Sequence, residues 1–201
     1  MRAQGVDYPH DGPAFAGEES VQWVAEHLDG CFAVGEIGLD GYWVPEDFWE
    51  RQESLFRQLV RLAMEADKAI IIHSRKRERR TLEILDELGA RRVNWHCFGG
   101  KLKLARAAAE RGHYLSIPAN ARRAQSFTRM LEKLPREQLL LETDCPYLAP
   151  ERPERDEETP FSEPAHVAGT AAYAAELWQC SIDNARARLE QNFEALFGVA
   201  P

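Results

Sequence analysis

Short apolar runs alternate along this chain with longer segments in which apolar residues recur at helical spacing. The runs are apolar at both odd and even positions, which is typical of strands buried on both faces of a sheet. They predict five strands, at residues 31–34, 69–72, 92–95, 114–117 and 139–141. The helical spacing predicts seven helices, at residues 18–28, 45–66, 79–88, 101–111, 123–134, 163–178 and 182–197.

The ends of these predicted elements carry recognisable signals. Asp47 and Glu50 have capping-box spacing, which predicts Asp47 as the N-cap of the second helix. Gly89 follows the third helix and is expected to end it. Residues 5–17 and 150–164 are rich in turn-forming and charged residues and predict loops. Strands that alternate with helices predict an α/β fold with parallel strands and crossover helices.

The composition narrows the class of protein. A 201-residue chain with 44% hydrophobic and 29% charged residues is long enough for one globular domain. Its net charge of −8 argues against nucleic-acid binding through a broad basic surface, although a small local site stays compatible. Four scattered cysteines without CxxC spacing predict reduced thiols in a cytoplasmic protein. No apolar run approaches the roughly 20 residues of a membrane span, and we expect no membrane partner.

Four polar residues each come directly after an apolar run, namely Glu36, His73, His96 and Asp144. The carboxyl ends of parallel strands meet at one rim, so we expect these side chains to lie close together. A single histidine after a strand is more often structural, but four metal-type ligands at four strand ends rarely coincide by chance. Two imidazoles and two carboxylates suit Zn²⁺, Mn²⁺ or a similar divalent ion. A divalent ion in such a site lowers the pKa of water to about 7.

Several neighbouring residues have two interpretations each. Arg75 follows His73 by two residues and either contacts a phosphate beside the metal or pairs with a carboxylate. Lys101 follows two glycines at a helix start and either binds an anion or is solvated. Asp40 either binds metal through water or caps its loop. Glu142 is interpreted as a buried partner of a metal-ligating histidine.

At these positions the sequence resembles the TatD family of metal-dependent deoxyribonucleases, which are amidohydrolase-type TIM barrels. The resemblance covers residues 5–198, with Cys145 where the family usually has serine. The motifs that carry it are VGEIGLD at 34–40, IHSR at 72–75, HCFGG at 96–100 and LETDCPYL at 141–148. The resemblance implies a two-metal site in which Glu36 bridges the metals. It also implies that His73 and His96 bind one metal, that Asp144 binds the other and acts as general base, and that Arg75 lies near the phosphate.

The chain departs from the family pattern at its beginning. The family opens with a His-x-His pair on its first strand, and this sequence contains no His-x-His. Residues 5–10 resemble the end of the family's third strand. We therefore expect an N-terminally incomplete TIM barrel, with about five complete strands of eight plus the end of a sixth, in a single domain over residues 1–201.

This incompleteness has consequences for metal binding and for the sheet. The residues that would share a metal with Asp144 are absent, so the second metal is expected to bind weakly and activity to be reduced. The strand at 31–34 is expected to present an open edge and to favour self-association.

The function expected from the resemblance is metal-dependent hydrolysis of a phosphodiester, with DNA as the first candidate substrate. Mg, Mn and Zn are the candidate ions, up to two in number in the family and one here. Two other functions stay open. One is a related barrel hydrolase that acts on an ester or an amide, because this fold serves many substrates. The other is a truncated remnant that keeps the fold without catalysis.

Overall fold

A computed structural model describes residues 17–150 and 161–200 of the chain. Its strands are β1 (Ala33–Asp40), β2 (Ala69–Arg75), β3 (Val93–Trp95), β4 (Tyr114–Ile117) and β5 (Leu139–Leu141). Its α-helices are α1 (Gly17–His27), α2 (Trp49–Glu65), α3 (Glu78–Leu88), α4 (Leu102–Ala109), α5 (Gln125–Lys133), α6 (Val167–Trp178) and α7 (Ile182–Phe197). Every predicted strand and helix is present, with differences at the ends.

The strands form one sheet in the order β1-β2-β3-β4-β5, and every neighbouring pair is parallel. This is part of a TIM-type barrel, as predicted, and the barrel is not closed within the described ranges. The predicted end of a sixth strand, at residues 5–10, lies outside the described residues, as does most of the loop predicted at 150–164. β1 lies at one edge of the sheet, and self-association through that edge stays a prediction.

Several predicted boundaries were wrong. The first strand is β1, which continues to Asp40 instead of ending at residue 34, because its second half pairs with β2. β2 likewise continues to Arg75 instead of ending at residue 72. Glu36 and His73 therefore lie within strands and not after them. The second helix starts with a 3₁₀ turn at Glu46–Phe48 and becomes α-helical at Trp49, so Asp47 caps nothing there. Gly89 ends α3 in the left-handed conformation, as predicted.

The sheet is buried on both faces, which explains why its strands are apolar at odd and even positions. In β2, Ile70 and Ile72 belong to the large core beneath the helices that connect the strands. Ala69 lies on the opposite face in a smaller core, with Phe197 of α7 and with Ile71 packed against it. α7 thus covers part of the face that would line the inside of a closed barrel. Among the described helices, none has the length and apolar character needed to cross a bilayer.

Candidate metal centre

β1 delivers Glu36 through an irregularity in its pairing with β2. The register shifts between Val34 and Ile37, so one extra residue is accommodated where Glu36 lies. Gly38 allows the close approach of the two strands, because a Cβ atom there would lie 1.8 Å from the carbonyl oxygen of His73. The bulge turns the Glu36 carboxylate toward the histidines of the next two strands.

His73 is held between two carboxylates. Its Nε2 atom lies 2.9 Å from Oδ2 of Asp40, and its Nδ1 atom lies 3.9 Å from Oε2 of Glu36. The other oxygen of Asp40 accepts hydrogen bonds of 2.7 Å from the backbone N–H groups of Tyr42 and Trp43. Asp40 therefore caps its loop, as one interpretation predicted, and also fixes the ring of His73. The hydrogen bond to this carboxylate uses Nε2, so Nδ1 is the ring nitrogen that faces Glu36.

His96 follows β3 and is held in the same way from the other side. Its Nδ1 atom lies 2.9 Å from Oε2 of Glu142, the contact that was predicted for Glu142. Its Nε2 atom lies 3.3 Å from Oδ1 of Asp144 and 3.7 Å from Oε2 of Glu36. The two histidines thus turn one ring nitrogen each toward the same carboxylate, Glu36, while a second carboxylate orients each ring from behind.

Asp144 reaches this point through an unusual backbone conformation. It lies three residues beyond the end of β5 and has a φ of 54°, in the left-handed region that aspartate enters more readily than most residues. Its carbonyl oxygen accepts a hydrogen bond from the N–H of Tyr147, which closes a turn. The side chain of Asp144 is part-buried against His96.

The site carries an excess of negative charge. Burial disfavours the charged form of His96, but hydrogen bonds to Asp144 and Glu142 and the nearby charge of Glu36 outweigh it and raise its pKa to about 10. Burial raises the pKa of Glu142, and the hydrogen bond from His96 opposes that rise. The pKa shifts of His96 and Glu142 both show that the carboxylates of this site favour a positive charge nearby. A divalent metal ion supplies more positive charge than one protonated imidazole.

The donor set fits a divalent ion, with one adjustment. Among the described residues, no three His, Cys, Asp or Glu side chains already stand close enough to hold a metal ion. Two ligands of a tetrahedral Zn²⁺ lie about 3.4 Å apart, so the separations from Glu36 to His73 and His96 exceed this by about half an ångström or less. The Glu36 side chain is 46% exposed and free to rotate by that amount. The first ligands would be Glu36, His73, His96 and Asp144.

The two predicted substrate contacts lie in different places. Arg75 ends β2 and forms no ion pair with a carboxylate in the described ranges; its guanidinium lies 4.0 Å from the ring centroid of Tyr42. Lys101 is exposed at the start of α4 and lines a cavity with Gly99 and Gly100 that none of the four metal-site candidates lines. The phosphate-binding role of both residues stays a prediction.

One functional contact escaped the sequence reasoning, the hydrogen bond from His73 to Asp40. The signal for it lies in the pairing register. Gly38 pairs with His73, so Asp40, two residues further along β1, projects from the same side of the sheet as the histidine. That register depends on the bulge in β1, which the sequence does not reveal.

Comparison with known proteins finds relatives over most of this chain. A family model described as "TatD related DNase" matches residues 8–198. The uncharacterized metal-dependent hydrolase YabD of Bacillus subtilis is 34% identical over 190 residues, covering 90% of this chain and 72% of YabD. Human deoxyribonuclease TATDN3 is 31% identical over 180 residues, covering 87% of this chain and 62% of TATDN3. The chain spans 58% of the mouse putative deoxyribonuclease TATDN3, to which it is 30% identical.

Solved structures share the fold. The TatD homologue YJJV of Escherichia coli superposes with a TM-score of 0.78 at 29% identity, covering 90% of this chain and 71% of YJJV. An uncharacterized amidohydrolase of Saccharomyces cerevisiae superposes with a TM-score of 0.72 at 15% identity, covering 92% of this chain and 72% of that one, and supports the fold alone.

Proposed function

The chain belongs to the TatD related DNase family of metal-dependent hydrolases, and from this premise we propose that it hydrolyses phosphodiester bonds, with DNA as the first substrate to test. Mg²⁺, Mn²⁺ and Zn²⁺ are the candidate ions. The deoxyribonuclease name of the TATDN3 relatives supports the choice of substrate. The chain spans 58% to 72% of the length of these relatives. Its activity is therefore a proposal, and the experiment must use this chain itself.

One observation carries the proposal. The ring nitrogens of His73 and His96 that point away from Asp40 and Glu142 both face Glu36, and the one on His96 also lies 3.3 Å from Asp144. A purely structural histidine needs one good partner. Two histidines that each place a carboxylate behind the ring and face a shared third carboxylate match the arrangement of metal-ligating imidazoles.

The residues divide the work as follows. Glu36, His73, His96 and Asp144 would be the first ligands of the ion, and Asp40 and Glu142 keep the two imidazole rings oriented toward it. A divalent ion bound there polarises the phosphate and lowers the pKa of water toward about 7. Asp144 lies 3.3 Å from Nε2 of His96, the nitrogen that faces Glu36, and would accept the proton of the attacking water as general base. Arg75 neutralises charge on the phosphate, with its guanidinium over the ring of Tyr42.

The test is metal-stimulated release of nucleotides from single-stranded DNA. We expect turnover with at least one of the three metals, loss of turnover on chelation, and loss of roughly two orders of magnitude or more for His73→Ala and Asp144→Asn. The matched control is His27→Ala, which removes an exposed histidine of α1. Circular dichroism and thermal unfolding verify that each variant is folded.

Parallel assays with a carboxyl ester and an amide separate the related hydrolase alternatives from the phosphodiesterase. Turnover of the ester or amide without turnover of DNA would replace the proposed substrate class. Absence of turnover on every substrate with every metal, in a folded protein, would contradict the enzymatic function of this chain and favour the inactive alternative.

A further inference from the structure

A second feature of the rim is a basic groove beside the metal centre. It is a cavity of about 730 Å³ between the start of α3 and the start of α4. Only Glu78 and Glu83 contribute negative charge to its lining. The basic residues that line it are Lys76, Arg77, Arg79, Arg80, Lys101 and Lys103. Such a concentration of positive charge stands out in a chain with a net charge of −8.

Four of these six cations are not neutralised. Arg77 and Arg80 both pair with Glu53, so their charge is compensated locally. The remaining four make no ion pair with a carboxylate among residues 17–150 and 161–200, and all are exposed; they are Lys76, Arg79, Lys101 and Lys103. Like charges gathered around one cavity repel each other, and an anion with several charges relieves that repulsion.

The groove is connected to the metal centre through two loops. β2 carries His73 to the rim, and three residues later Lys76 lines the groove, which limits the distance between their Cα atoms to about 10 Å. The loop after β3 begins at His96 and reaches Lys101 through Gly99 and Gly100. The strands that present the histidines therefore also build the walls of the groove.

The helix starts add to the same field. The first turns of α3 and α4 both line the cavity, and neither helix has a side-chain cap at its N-terminus. The positive ends of two helix dipoles thus lie at the same cavity as four cations that form no ion pair within the described ranges, one of which, Lys76, lies 4.9 Å from the ring centroid of Tyr42. A substrate whose only charge is at the scissile bond would gain nothing from the positive potential of this cavity. A strand with several phosphates would place some of them there.

We propose that this groove binds backbone phosphates of a nucleic-acid strand away from the bond being cleaved, so that the substrate is an oligonucleotide of several nucleotides. This rests on the proposed phosphodiesterase function and extends it from the reacting bond to the length of the substrate. The cations supply attraction to the backbone and not recognition of bases, so the groove selects for length and not for sequence.

The experiment measures binding and cleavage separately. Fluorescence anisotropy with labelled single-stranded DNA of 2, 4, 8 and 12 nucleotides, in a chelator that stops hydrolysis, gives affinity against length and salt. The test variant is the double substitution Arg79→Ala and Lys103→Ala, at two exposed cations that line the groove. The matched control is Arg129→Ala with Lys133→Ala, which removes two exposed cations from α5, outside the groove. Thermal unfolding verifies that both are folded.

For the unsubstituted protein we expect affinity to rise between 2 and 8 nucleotides. The groove variant is expected to lose roughly tenfold in affinity for the 8-mer and little for the 2-mer. Its salt slope is expected to fall by about 0.7 for each cation removed. With metal added, kcat/KM should fall for the 8-mer and stay unchanged for the 2-mer. The control should match the unsubstituted protein throughout.

The outcomes distinguish this inference from the proposed function. Cleavage of DNA whose binding and rate are independent of length, or equal losses in the groove and control variants, would overturn the groove and leave the function standing. Length-dependent binding that the groove variant loses, without cleavage by any metal, would retain a nucleic-acid site and reject hydrolysis.

Discussion

Oε2 of Glu142 lies 2.9 Å from Nδ1 of His96. Glu142 follows β5 and His96 follows β3, and β4 lies between these two strands in the sheet. This contact decides which nitrogen of His96 faces the candidate metal centre. With Nδ1 occupied, Nε2 is the atom that faces Glu36 and Asp144. The orientation of a candidate metal ligand is therefore set by a residue that does not itself face the metal.

Replacement of Glu142 should weaken metal binding without unfolding the protein. Glu142→Gln keeps an oxygen for the hydrogen bond but removes the charge that supports the imidazole, and we expect a 10- to 100-fold lower metal affinity. Calorimetric titration of the metal-free protein with Zn²⁺ or Mn²⁺ measures this. Glu137→Gln, an exposed carboxylate just before β5, is the control. Equal affinities for all three proteins would show that Glu142 does not position a ligand.

Two substitutions of Asp40 should distinguish its role in positioning His73 from its role in capping its own loop. Asp40→Asn retains one oxygen for the N–H groups of Tyr42 and Trp43 but loses the charge behind His73, so metal affinity should fall about tenfold or more with little change in stability. Asp40→Ala removes both functions and should also lower the free energy of unfolding by about 1–3 kcal/mol. The comparison of calorimetric affinity with urea unfolding tests this. Equal stability losses for both variants would contradict it.

Gly38 should tolerate no side chain. Its Cβ atom would lie 1.8 Å from the carbonyl oxygen of His73, so Gly38→Ala must push β1 away from β2. We expect a loss of about 2 kcal/mol or more in the free energy of unfolding, measured by urea denaturation. Gly30→Ala is the matched control, because a Cβ atom there meets nothing within 4 Å. Similar stabilities for the two variants would refute the close approach of the strands.

His113 should make stability dependent on pH. It is buried, its Nδ1 accepts a hydrogen bond from Trp95, and its Nε2–H donates to the carbonyl of Ala90. Burial lowers its pKa to about 4 from an ordinary value of 6.5, so the unfolded chain binds a proton before the folded one. The stabilisation is complete above pH 6.5 and is lost as pH falls toward 4, by about 2 kcal/mol at pH 5.

The measurement compares urea unfolding at pH 7.5 and pH 5 for the unsubstituted protein and for His113→Gln. The variant cannot titrate in this range, so its loss of stability on acidification should be smaller by about 2 kcal/mol. His27→Gln, at an exposed position on α1, should behave like the unsubstituted protein. A variant with the same pH dependence as the unsubstituted protein would assign the effect to other groups.

The sequence by itself determined the order of strands and helices and most of the candidate site. Apolar runs at both parities identify strands buried on two faces, and helical spacing identifies the connections, because these patterns are properties of short segments. Glu36, His73, His96 and Asp144 stood out for the same local reason, since each follows an apolar run. Even the contact of Glu142 with a histidine was accessible from its position two residues before Asp144.

The tertiary structure decided how those side chains meet. The length of β1, the bulge that turns Glu36 and the contact between Asp40 and His73 all follow from the pairing of β1 with β2, a strand about 35 residues away whose register no local pattern records. The place of Lys101 in the basic groove with Lys76 likewise depends on how two loops pack side by side. Local sequence specifies faces and ends, whereas register and packing arise only when distant segments come together.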